Sequence, residues 1–108
     1  MGIFSFFFGS PADKYSQEEH QLSEYDLKRL ITHEHIEVLD HLQAEKIRTA
    51  ILARRRGDGK ISLRQIYELL QHMVNTYEIS KFDRDGVVKV MVKFFDEHPH
   101  GASGGLFL

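Results

Sequence analysis

Histidine and carboxylate recur at four-residue spacing in His33-Glu34-His35-Ile36-Glu37-Val38-Leu39-Asp40-His41. On a helix, His33, Glu37 and His41 would share one face, and imidazole with carboxylate in such a row can hold a divalent metal. The helical zinc-protease pattern needs a second histidine four residues after the first, and Glu37 stands there instead. A solvated face on which histidines pair with acids is the ordinary outcome of such patterning. Free imidazole titrates near pH 6.5, so the same residues could also make a proton-sensitive contact. His98 and His100 could join such a metal, but histidines so placed are more often part of a terminus.

A second cluster is cationic: Arg54, Arg55, Arg56, Lys60 and Arg64 surround Gly57-Asp58-Gly59. Arginines in a last helical turn meet the negative end of the macrodipole and can bond its free carbonyls. That explains the cluster without any ligand. The functional alternative is a site for an anion or an acidic partner, aided by the free N–H groups of the helix that follows. Nucleic acid belongs to this class, with Arg64, Gln65, Gln71 and Asn75 as residue types that read bases. The segment from Ser62 to Leu70 resembles the first helix of a helix-turn-helix, but no short turn and polar reading helix follow it. The net charge of −2 also opposes general attraction to phosphate.

Enzymatic chemistry finds little to work with. There is no cysteine, hence no disulfide, zinc-thiolate or thiol nucleophile. Ser62 and Ser80 suit caps, and Asp83 and Asp85 suit turns and caps. No Gly-rich phosphate loop or nucleophile elbow is present, so no catalytic residue and no cofactor are expected.

The corner itself carries four agreeing local signals. Gly57 can close a helix in the left-handed conformation, and Asp58-Gly59 is a strong turn pair. Ser62 and Gln65 make a capping box, and Ile61 with Ile66 make a hydrophobic staple. Residues 54–65 also resemble half of an EF-hand calcium loop, with Gly59 as its central glycine and Ile61 as the apolar residue two further on. That loop needs oxygen ligands at positions held here by Arg54, Arg56, Asp58 and Gln65, and two guanidinium groups oppose a dication. A weaker echo spans Lys81–Val92, with Lys81 and Val92 at its first and last ligand positions.

The first nine residues hold Phe4, Phe6, Phe7 and Phe8, four of the chain's eight phenylalanines. Termini are usually polar, so this arm either folds onto the core or docks on a partner, another subunit or a membrane surface. Myristoylation of Gly2 wants Ser or Thr at position 6, where Phe6 stands. Gly101-Ala102-Ser103-Gly104-Gly105 reads as a flexible tail ending in Leu106-Phe107-Leu108.

Between these ends the periodicity predicts helices. A first lies within about 17–31, opened by Ser16 or by the rival cap Ser23. Thr32 caps a long second helix to about Arg56, with Ile36, Leu39, Leu42, Ala44, Ile47, Ala50 and Ile51 as its stripe and a drift at Asp40–Gln43 that permits a restart. The third, about 63–77, is clearest: Ile66, Leu69, Leu70, Met73, Val74 and Tyr77 fall at spacings of three and four. Residues 87–95 alternate like a strand, but His98-Pro99 and Gly101 make a helix stop, and a helix is expected.

At 108 residues, 42% hydrophobic and 28% charged, the chain should form one globular domain. The expected fold is all-α, about four helices over 16–100, packed around the third and fourth. The expected function is non-enzymatic: a small adaptor or regulator, able to form homo-oligomers, binding a protein through Phe4, Phe6, Phe7, Phe8 and the corner residues Arg54, Arg55, Arg56 and Arg64. Nucleic-acid binding through Arg54–Arg64 stands second and divalent-metal binding third. No apolar run has transmembrane length and no signal peptide opens the chain, which fits a cytoplasmic setting.

Overall fold

Helices begin in this chain where a side-chain oxygen can meet the N–H groups of a first turn, which no intrahelical carbonyl reaches. The structure, a computed structural model, describes residues 15–97. In order these form β1 (Glu19–Gln21), α1 (Glu24–Leu30), α2 (His41–Arg54), β2 (Lys60–Ser62), α3 (Leu63–Asn75) and α4 (Lys81–Glu97). The Phe-rich arm and the Gly-rich tail lie outside the described residues.

Ser23 caps α1, its Oγ accepting from the Asp26 N–H at 3.0 Å. Asp40 with Gln43 and Ser62 with Gln65 form complete capping boxes at α2 and α3. Ahead of α4, Ser80 Oγ accepts from Asp83 N and Asp83 Oδ2 accepts from Ser80 N. α3 packs most extensively against α4. Ile66, Leu70 and Met73 from the first and Val87, Met91 and Phe94 from the second are all buried in one core. Residues 87–95 are therefore helical, as the stop signals implied.

The described residues are mostly helical but not purely so. β1 and β2 pair antiparallel, with Glu19 opposite Ser62, His20 opposite Ile61 and Gln21 opposite Lys60. Strands of three residues are too short to show a period of two, and this pairing joins distant stretches of sequence. The ribbon takes the place of the expected start of the first helix. Ser16 does accept from Glu18 N at 2.9 Å, but the chain then extends into β1. The rival cap Ser23 opens α1 instead, which leaves Tyr25 exposed.

The second helix is likewise shorter than its stripe suggested. Residues 31–40 are irregular, and the helix restarts at Asp40, inside the stretch where the stripe drifts. Local bonds hold the irregular stretch: Thr32 Oγ1 accepts from His35 N, and His33 Nδ1 donates to the Leu39 carbonyl at 2.8 Å. Arg48 of α2 donates to the Ile31 carbonyl at 2.6 Å, tying it to the end of α1. Ile36 and Leu39 are buried without being helical, whereas Leu42, counted in the stripe, is 77% exposed.

Two turn residues also differ from expectation. Gly59, rather than Gly57, takes the left-handed conformation, at φ +86°. At the end of α3, Tyr77 has φ +62° and is 94% exposed, although its spacing placed it on the inward face. The bonds from Tyr77 N to Val74 O and from Glu78 N to Met73 O make this a Schellman ending with tyrosine in the place glycine usually fills. A side chain in that conformation costs about 1–2 kcal/mol, and the exposed ring has little packing to lose. Glycine would return roughly 0.4–1 kcal/mol of that through its freer unfolded state. Tyr77→Gly should thus stabilise the protein by about 0.5–1 kcal/mol, read as a higher urea midpoint at unchanged slope. A lower midpoint would mean that the ring makes contacts that matter.

Candidate functional site

The turn between α2 and β2 gathers the cations, and most of them are engaged within the chain. Arg55, the C-cap of α2, donates from Nη1 to the Leu22 carbonyl at 2.6 Å. Its Nε is enclosed without a hydrogen-bond partner. Arg56 bridges two carboxylates, Glu19 at 2.9 Å and Asp58 at 2.7 Å. Its hydrogen bond to Asp58 is the main reason that the Asp58 carboxyl lies below, and the Arg56 guanidinium above, its ordinary range. Arg64 donates from Nε to the Tyr15 carbonyl at 3.3 Å, and its backbone N–H donates to the Ser16 carbonyl. Arg54 and Lys60 are exposed.

Polar bonds from the turn complete the seam. Gln21 Nε2 donates to the Asp58 carbonyl at 2.8 Å, and Leu22 N to the Gly59 carbonyl at 3.1 Å. Tyr15 stacks on Tyr67 of α3 at 5.0 Å between ring centroids, and Arg84 of α4 lies 5.4 Å from the Tyr67 ring. Residues 15–22 are thus sewn along the corner from end to end. Of the proposed partner-binding residues, Arg55, Arg56 and Arg64 meet on this seam and Arg54 lies beside it. Phe4, Phe6, Phe7 and Phe8 lie outside the described residues.

Sequence reasoning found the arginines but missed what they hold. Only Glu19, placed to oppose Arg56 once β1 pairs with β2, could have hinted at it, and that pairing is invisible locally. The shallow polar hollow around Arg54 and Arg64 also contains Glu19 and Glu68, so the surface there is of mixed sign.

The metal candidates fare as their backbone dictates. His33 and Glu37 lie in the irregular stretch and His41 opens α2, so the shared helical face does not form. The His33 and His41 rings are 5.7 Å apart, and His33 bonds to a carbonyl. Among the described residues, no group of three His, Cys, Asp or Glu is arranged to hold a metal ion. In the loop that resembles half an EF-hand, Asp58 is taken by Arg56 and by the Lys60 N–H. The weaker echo, Lys81–Val92, lies wholly within α4 and makes no loop. No helix of the described residues is long and apolar enough to cross a membrane. No family model, curated protein or solved structure matches the chain.

Proposed function

We propose that this chain is a small non-enzymatic protein-binding module that offers the Phe4, Phe6, Phe7 and Phe8 arm to a protein partner from a fixed root at the basic corner. The observation that carries this is the seam. Arg55, Arg56 and Arg64 hold residues 15–22 against the α2–α3 turn, so whatever precedes Tyr15 departs from one place on the domain. Anchoring of that kind lowers the ordering cost of an apolar arm on binding. Four phenylalanines are also the composition of an anchor that fills partner pockets.

A photocrosslinker at Phe6 would identify the protein in contact with the arm. Affinity for that purified protein would then be measured for the full chain and for a variant with Phe4, Phe6, Phe7 and Phe8 all changed to serine. The expected loss is at least about tenfold, equivalent to 1.4 kcal/mol, at an unchanged melting temperature. Retained affinity with a lowered melting temperature would assign the arm to the core and overturn the proposal.

Nucleic-acid binding through Arg54–Arg64 has less support, because three of the four arginines bond to protein groups and Glu19, Asp58 and Glu68 stand among them. Gel shifts with duplex DNA and with single-stranded RNA across a salt series should show no retained complex at physiological salt. A complex that weakens steeply with salt, and is lost in Arg54→Ala, would revive that alternative.

A further inference from the structure

An apolar groove runs along the outer side of α4. Its apolar lining is Leu30 of α1, Ile36 of the irregular stretch, and Val90 and Phe94 of α4, and Arg29, His35, Glu37, Lys89, Lys93 and Glu97 also line it. Its volume is about 500 Å³, within the range of sites that enclose a small ligand. Val38 is 57% exposed on the groove's wall. Gly86 closes the far end, where Ile36 Cγ2 lies 2.8 Å from the point a Cβ would occupy. Glu97, the last residue of α4, lies at the near end.

We infer that the groove receives Leu106-Phe107-Leu108 of the same chain. The first reason is reach. Leu106 follows Glu97 by nine residues, and the stretch between is His98-Pro99-His100 followed by the Gly/Ser-rich Gly101-Ala102-Ser103-Gly104-Gly105. A linker of Gly/Ser composition spans roughly 5–6 Å times the square root of its length, about 15–18 Å for nine residues. From Glu97 back to Gly86 is eleven helical residues, about 16 Å at 1.5 Å each. The whole groove therefore lies within reach of the tether, which keeps the effective concentration of the segment high. The second reason is chemistry. Three consecutive large apolar side chains suit an apolar lining of Leu30, Ile36, Val90 and Phe94, and a tethered segment outcompetes the same segment on a second copy at dilute concentration. This surface is separate from the seam, so the inference stands independently of the arm.

The chain has no cysteine, so Ser103→Cys carries a single nitroxide label on the full chain. The amide signals of Val38 and Gly86 should be strongly attenuated, and should recover when Leu106→Ser, Phe107→Ser and Leu108→Ser are added. Equal signals with and without those three changes would overturn the inference, since an undocked tether gives the same average in both. Mixing isotope-labelled chain without nitroxide and unlabelled chain with nitroxide provides the remaining arm. Attenuation of equal size in that mixture would make a second copy the occupant and would also overturn it.

Discussion

Replacing Leu70 with alanine should destabilise the protein by about 3 kcal/mol. Leu70 is fully buried on the face of α3 that also carries Ile66 and Met73, and among the described residues α3 packs most extensively against α4. Removing most of the side chain forfeits its transfer from water and leaves a cavity that two packed helices can only partly close. For a domain of this size the melting temperature should fall by about 15 °C. Leu42→Ala provides the comparison. That leucine was expected on an inward stripe but is 77% exposed, and its loss should matter by no more than about 0.5 kcal/mol. Equal effects from the two leucines would mean that the inward face of one helix has been misassigned.

Gly86→Val should destabilise by about 2 kcal/mol. Glycine inside a helix is normally a defect, and a side chain there ordinarily gains up to about 1 kcal/mol. At Gly86 the sign reverses. An added Cβ would lie 2.8 Å from Ile36 Cγ2 and 3.7 Å from Val38 Cγ2, and Ile36 is buried on a stiff β-branched side chain that cannot swing aside cheaply. Overpacking then outweighs helix propensity. Gly57 is the control: a Cβ there meets nothing within 4 Å, and its φ is not left-handed. Gly57→Ala should therefore stabilise by about 0.4–1 kcal/mol through the unfolded state. Paired urea titrations read both, and a stabilising Gly86→Val would show that residues 36–38 do not lie against α4.

The candidate site was legible by residue type and not by partner. Arginines at 54–56 and 64 announce a cationic corner, and the dipole argument explains why a helix should end among them. That they face Glu19 and the carbonyls of Tyr15 and Leu22 depends on β1 lying beside β2, a contact that no window of neighbouring residues contains. The histidine row failed for the opposite reason. Four-residue spacing means a shared face only within a helix, and Asp40 placed the cap of α2 beyond His33 and Glu37.

By itself the sequence determined much of what depends on near neighbours. The capping box of Ser62 and Gln65, the cap at Ser80, the tight turn at 57–62, and the inward row of Ile66, Leu70 and Met73 follow from interactions between near neighbours, strong enough to read without knowing the rest; the cap at Asp40, where Thr32 was expected, was not among them. Tertiary structure alone decided which of two plausible caps opened α1, whether Ile36 would be buried from a loop or from a helix, and why residue 86 must be glycine. Each of those depends on what the rest of the fold brings against the residue, and the energy of such contacts is shared between stretches that carry no mark of one another.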